Sequence, residues 1–255
     1  MSLRTDRVSE AIPWRGFRFM KAVILAGGLG TRLRKRIDDK PKSMASVLGR
    51  PFLQYQIEQL KRYGIKEVVL CVGYLGEQIK DFLKNGVEFG VKIEYATEKE
   101  LLGTGGALKN AQKYLEDSAF LVLNGDSYLN IDLLDFIRYH KEKEAQGTIA
   151  LTKVDVSEEY GLIEIDKKNR IRGFFEKVKG DKFGIIINAG IYLFEPELLN
   201  YIPEQKKVSL EKEFFPHLLR ENIALFGYLS SGYFIDIGTS QKYDQAQRDF
   251  KRMVK

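Results

Sequence analysis

The 255 residues are 44% hydrophobic and 30% charged, a balance that supports a buried core and excludes wholesale disorder. Forty-one basic residues face 35 acidic ones along the whole chain, a net charge of +6, and no basic run with interleaved aromatics marks a nucleic-acid binder. No stretch approaches the roughly 20 apolar residues of a bilayer span, and the length fits one large α/β domain.

Residues 1–19 carry six charges from Arg4 to Arg18 and no apolar core of a secretory signal. They are set apart as a flexible arm, an upstream start or an added remnant, and the fold is expected to begin at Met20. Residues 21–25, Lys-Ala-Val-Ile-Leu, form an apolar run ending in glycines, which predicts a buried strand feeding a loop. A helix is expected over 51–63, with Pro51 suited to the first turn and Gly64 to the stop. Strands follow at 67–72, 91–95, 119–123 and 148–152, with helices around Ile79 and over 131–143. This alternation predicts a mostly parallel sheet covered on both faces. Beyond about 160 the rhythm shifts to strands at 161–165, 171–175, 185–194 and 223–229, with helices at 210–219 and 241–253. A partly antiparallel second half, within the same sheet or packed on it, follows from that shift.

Cys71 stands alone inside the run Val68-Val69-Leu70-Cys71-Val72 and reads as a small core residue, which suits a reducing, cytoplasmic setting. His140 and His217 fall in helical patterns without a companion nucleophile and read as structural. No zinc spacing or paired-carboxylate glycosidase pattern stands out.

The sharpest motif follows the first strand: Leu25-Ala26-Gly27-Gly28-Leu29-Gly30-Thr31-Arg32-Leu33. Glycines let backbone N–H groups approach an anion closely, and Arg32 adds a forked cation suited to phosphate oxygens. A P-loop is excluded, because no Lys-Ser or Lys-Thr follows the glycines. A dinucleotide fingerprint is excluded as well, with Leu33 at its last position and no acid about 20 residues on. Lys40-Pro41-Lys42 adds a second, stiffened cationic element.

A G-G-x-G-T-R-L loop followed by a Pro-Lys element resembles the start of the sugar-phosphate nucleotidyltransferases. The resemblance implies a single Rossmann-like domain over 20–255, of the nucleotide-diphospho-sugar transferase type. It implies a phosphate oxygen of a sugar 1-phosphate attacking the α-phosphorus of a nucleoside triphosphate, with pyrophosphate leaving. In Glu98-Lys99-Glu100-Leu101-Leu102-Gly103-Thr104-Gly105-Gly106, a G-T-G-G turn also fits a plain helix start; the family places Thr104, Gly105 and Gly106 around the nucleobase. The apolar strand ending Asn124-Gly125-Asp126 puts a carboxylate where α/β sheets collect ligands, a setting suited to Mg²⁺, though Asp126 could also start the next helix. Asp236, in Phe234-Ile235-Asp236-Ile237-Gly238, resembles the second metal-binding acid.

For the sugar phosphate the resemblance implies Gly125, Tyr160, Gly161, Glu176 and Asn188, with Lys177 neutralising its charge. An exposed Glu176-Lys177 pair and a backbone-capping Asn188 are the plain alternatives. Arg32 and Lys42 would stabilise the triphosphate, and Asp126 and Asp236 would hold Mg²⁺.

Within the family the resemblance is to short bacterial guanylyltransferases acting on D-glycero-α-D-manno-heptose 1-phosphate and to mannose-1-phosphate guanylyltransferases. GTP is thus the expected nucleotide, with UTP, CTP or dTTP and another sugar phosphate as rivals. Ser43, where P-K-P is usual, and Leu101, where proline often precedes L-G-T-G-G, depart from the pattern without removing a charge. A non-catalytic nucleotide-sugar sensor could lose the metal acids that this chain retains. A metal-dependent glycosyltransferase would more often carry D-x-D, which Asp126-Ser127-Tyr128 does not supply. Neither a membrane nor a nucleic acid is an expected partner, and the assembly state stays open between monomer and homo-oligomer.

Overall fold

The run after Met20 forms β1 (Lys21–Leu25), whose Ala22, Val23 and Ile24 are fully buried because helices cover the sheet on both faces. The computed structural model describes residues 20–30, 33, 39–155, 161–175 and 184–253, so the proposed arm at 1–19 lies outside it. After β1 come a short hairpin, β2 (Ser46–Val47) and β3 (Arg50–Pro51), then α1 (Phe52–Arg62) and β4 (Glu67–Val72). Next are α2 (Gly76–Leu83), β5 (Lys92–Thr97), α3 (Gly103–Asn110), β6 (Phe120–Asn124), β7 (Ser127–Leu129) and α4 (Leu133–Glu142). The second half runs β8 (Gly147–Val154), β9 (Leu162–Ile165), β10 (Ile171–Phe175), β11 (Ile185–Phe194), α5 (Phe215–Arg220), β12 (Leu225–Leu229), β13 (Phe234–Asp236) and α6 (Ser240–Met253).

Among the described residues nine strands form one mixed sheet. Its parallel half is β5-β4-β1-β6. The chain leaves β1 toward β4 and returns to β6 on the other side, so the switch point, where such sheets bind ligands, lies beyond the carboxyl ends of β1 and β6. β11 then pairs antiparallel with β6 and carries β8, β9 and their partners, the antiparallel half expected from the sequence. Along β1 the alternation splits the core: Ala22 and Ile24 face the layer of α1, α2 and α4, while Val23 faces the layer of α3 and α5. A third apolar cluster joins α1, β13 and α6 through Phe52, Tyr55, Ile235 and Phe250.

Most predicted elements stand within one or two residues of their expected ends. The helix expected over 210–219 differs. Residues Leu210–Phe214 form a π-helical turn before α5, and Phe214 N–H donates to Ser209 O at 3.0 Å, five residues back. Pro216 has no N–H to give and its ring crowds the carbonyl four residues earlier, so widening the turn accommodates it.

Asp126 does not start the helix that follows it. Asp132 does, its Oδ1 accepting from the N–H groups of Leu134 and Asp135 at 3.0 and 3.2 Å. Asp132→Ala is expected to cost about 1 kcal/mol, a fall of roughly 2–4 °C in thermal midpoint for a domain of this size. Calorimetry measures it, and an unchanged midpoint would discard the cap.

Candidate active site

Two carboxylates separated by 110 positions meet at the carboxyl end of the parallel strands. β13 pairs antiparallel with β7, setting Asp236 opposite Ser127, and Ile237 N–H donates to Asp126 O at 2.9 Å. Asp126 and Asp236 both line a cavity of about 680 Å³, shared with Asn124, Asn188 and Gly161.

Each acid has a lysine. Lys42 Nζ lies 2.5 Å from Asp126 Oδ2, with the lysine side chain only 12% exposed and the aspartate 42%. Lys242 Nζ lies 2.9 Å from Asp236 Oδ2, both side chains 17% exposed. Pro41 delivers Lys42 into a short 3-10 turn, and Lys42 then packs on the glycine loop. A Cβ at Gly30, whose φ is +60°, would stand 3.1 Å from Lys42 Cβ. Glycine is needed at that contact for both its backbone and its bareness. The loop, the lysine and the first acid are thereby one unit.

The segment carrying Asp126 is clamped from α1. The buried Gln56 amide donates to Asn124 O at 2.8 Å and to Ser127 O at 2.7 Å, and Gln59 donates to Leu129 O at 2.7 Å. Gly125 N–H donates to Leu25 O at 3.0 Å, tying the end of β6 to the end of β1. Sequence reading placed 51–63 in a helix but missed these two glutamines. Their signal was polar residues interrupting an otherwise apolar helix face.

Behind the loop stands Glu98, also missed. Its Oε2 accepts from Leu102 N–H at 2.9 Å, and a Cβ at Gly27 would fall 2.6 Å from its Oε1. Glu98 therefore joins the glycine loop to the start of α3. Burial holds its carboxyl above the ordinary glutamate range, the Leu102 N–H offsetting only part of the effect. A carboxyl raised in the folded state favours folding below its unfolded pKa, and that contribution is lost as pH rises through the folded value. Glu98→Gln is expected to melt higher than the parent near neutrality, with the gap closing below roughly pH 4. Melting curves across pH test this, and a gap that widens on acidification would contradict it.

Thr104, Gly105 and Gly106 open α3 but do not line the cavity, and neither do Leu25, Ala26, Gly27, Gly28, Gly30 or Gly125. The Gly105 and Gly106 N–H groups donate to Val208 O at 2.8 and 3.3 Å, and the Thr104 hydroxyl accepts from Leu210 N–H at 2.8 Å. The segment thus docks on 206–210. Arg32, Thr31, Tyr160, Glu176 and Lys177 lie outside the described residues.

Asn188 reaches the cavity from a bulge, since the pairing of β11 with β8 shifts register between Asn188 and Tyr192. A bulge re-aims a side chain next to a site. Asn188 also caps locally, its Oδ1 accepting from Gly190 N–H at 2.8 Å, so the plain alternative and a place in the cavity coexist. Glu211, Lys212, Ser209 and Phe174 add further lining.

Neither Cys71 nor His140 lines the cavity. Cys71 is fully buried, its thiol pushed far up by burial. His140 is held between Thr148 Oγ1 at 2.7 Å and Glu195 Oε1 at 3.2 Å. Among the described residues no helix is long and apolar enough to cross a membrane.

The sequence profile of a family described as "Nucleotidyl transferase" matches residues 21–252. A D-glycero-alpha-D-manno-heptose 1-phosphate guanylyltransferase of Campylobacter jejuni is 42% identical over 228 residues, 88% of this chain and 97% of that protein. The mannose-1-phosphate guanylyltransferase of Mycobacterium tuberculosis is 34% identical across 91% of this chain but only 65% of its own length. The crystal structure of HddC from Yersinia pseudotuberculosis complexed with GMP-PN superposes with a TM-score of 0.79 at 35% identity, covering 91% of this chain and 99% of that one.

Proposed function

The chain belongs to the nucleotidyl transferase family, and on that premise we propose that it transfers GMP from GTP to a sugar 1-phosphate, forming a GDP-sugar and pyrophosphate. The names of its relatives make D-glycero-α-D-manno-heptose 1-phosphate and mannose 1-phosphate the favoured acceptors. One observation carries the reading: Asp236 on β13 and Asp126, immediately before its partner strand β7, share a cavity at the switch point of the sheet, with Lys42 bridging Asp126 to the glycine loop.

In the reaction a phosphate oxygen of the sugar 1-phosphate bonds to the α-phosphorus, and the bond from that phosphorus to the bridging oxygen of the β-phosphate breaks. Such a displacement calls for alignment and charge neutralisation more than covalent help from the protein. The glycine loop from Leu25 to Thr31 offers backbone donors to the triphosphate, and Lys42 with Arg32 offsets its charge. Asn188 and Gly161, together with Tyr160 and Glu176, receive the sugar and Lys177 its phosphate, while Gly125, tied to Leu25 O, supports the strand end from behind the cavity.

The donor set of Asp126 and Asp236 fits Mg²⁺, which takes one or two carboxylates and completes its shell with substrate phosphates and water. Among the described residues no group of three or more His, Cys, Asp or Glu converges on a metal position, so substrate oxygens would supply the rest. When bound, the ion would neutralise charge on the phosphates. The reading includes a cytoplasmic setting, which the lone buried thiol of Cys71 suits.

The test incubates the protein with Mg²⁺ and each of GTP, UTP, CTP and dTTP against a panel of sugar 1-phosphates, following pyrophosphate. GTP with a heptose or mannose 1-phosphate is expected to lead. A preference for another nucleotide would replace the guanine assignment, and no release from any pair would turn the reading toward a nucleotide-sugar sensor.

A further inference from the structure

Beneath the cavity a polar chain runs through an otherwise apolar core. Tyr192 is completely buried, stacked on Phe194 and packed against Phe215. Its hydroxyl oxygen accepts from Asn188 Nδ2 at 2.9 Å and Asn124 Nδ2 at 3.3 Å, and it donates its proton to Glu211 Oε1 at 3.4 Å. Glu211 Oε2 accepts from Ser209 Oγ at 3.0 Å and Thr104 Oγ1 at 3.2 Å.

The direction of this chain is set at its Asn188 end. Gly190 N–H occupies Asn188 Oδ1, so the amide nitrogen of Asn188 must face Tyr192. The nitrogens of Asn188 and Asn124 can only donate, and a phenol has a single proton, so that proton points to Glu211. The two other hydroxyls are already spoken for as acceptors. Thr104 Oγ1 takes Leu210 N–H and Ser209 Oγ takes Lys212 N–H, which leaves each a proton for Glu211. Three hydroxyl donors thus converge on one carboxylate. A neutral amide at this place would present donors to donors.

We propose that Glu211, on the π-helical turn, is the positioning residue of the sugar half of the site: through Tyr192 it fixes Asn188 as a hydrogen-bond donor to a sugar hydroxyl. Glu211 and Asn188 both line the cavity, and Asn188 keeps a second N–H beyond the one given to Tyr192. The widened turn is what places a glutamate here, two residues after the Ser209 cap. π-turns of this type recur at functional sites. Burial, and next the Glu211 charge, keep the Tyr192 phenol protonated far beyond neutrality, so the relay holds its direction across working pH. The inference rests on the nucleotidyltransferase reading above and adds a residue that the sequence motifs did not single out.

The experiment uses the intact chain with GTP, Mg²⁺ and the sugar 1-phosphate that gives best turnover. Tyr192→Phe removes the relay hydroxyl and leaves the carboxylate; Glu211→Gln keeps the shape and removes the acceptor. Each is expected to raise KM for the sugar 1-phosphate about tenfold while KM for GTP stays within about twofold, the signature of lost binding on one substrate only. The double variant is expected to be no worse than the poorer single one, because both act through one chain. An unchanged sugar KM, equal losses on both substrates, or additive effects in the double variant would overturn the relay. Should Tyr192→Phe fail to fold, Glu211→Gln alone decides by the same KM split. Absence of turnover in the parent with every pair would instead sink the proposed function, and the relay with it.

Discussion

Asp126→Asn is expected to lower turnover roughly 10²–10³-fold, the size of loss seen when one preorganised electrostatic contact to a reacting centre is removed. The substitution keeps the volume and deletes one negative charge. In the fold that charge balances Lys42, whose side chain is 12% exposed and packs on Gly30. Asparagine leaves Lys42 without a counter-charge and leaves a divalent ion with one carboxylate in place of two. Stability is expected to change little, because Asp126 is 42% exposed and solvent screens the pair. Asp236→Asn is expected to act in the same direction. Steady-state rates over a Mg²⁺ titration decide: if both variants keep full Mg²⁺-dependent turnover, the two acids hold nothing and the site is misassigned.

Gly232→Ala is the second large effect. A methyl there would stand 1.8 Å from Asn130 O, a backbone atom fixed in its turn because Asn130 N–H donates to Tyr233 O at 2.8 Å. The two segments must separate, and overpacking of this kind costs about 3 kcal/mol or more, roughly 6–12 °C in thermal midpoint. β13 begins two residues later and carries Asp236, so the displacement passes to the second acid. A shift of about 1 Å in a reacting constellation can cost roughly 10²-fold in rate. Turnover should therefore fall well below parent even at temperatures where the variant is folded. Ser231→Ala, at an exposed neighbour, is the control. Parent-like melting and rate in Gly232→Ala would show that the approach is looser than described.

The parallel half of the sheet was legible because its strands are continuous apolar runs buried on both faces, and such runs look alike in any context. Residues 67–72 of the parallel half formed a strand with the expected ends, as did 171–175 and 185–194 of the antiparallel half. The acids were legible one at a time, each as a carboxylate closing an apolar run. Their proximity was not, since it depends on pairing between β7 and β13, three residues each, too short to carry a pattern. The hairpin of β2 and β3 escaped for a related reason: its turn puts Leu48 at a φ of 49°, a position where leucine gives no turn signal. Gln56, Glu98 and Glu211 were invisible as site residues because a lone polar side chain acquires a role only from a partner distant in sequence.

The placement of Asp236 also bears on when, in the life of the chain, the site can come into being. During synthesis the ribosome delivers Asp126 110 residues before Asp236. A nascent chain that has already built the parallel strands, the glycine loop and Lys42 still has half of its carboxylate pair. The missing half arrives on β13, a strand whose partners are β7 and, through Ile235 and Phe250, the helix that follows it. On the proposed reading of the two acids, partial chains would lack catalytic competence, and a metal-dependent activity appearing during translation would report that β13 and α6 have docked.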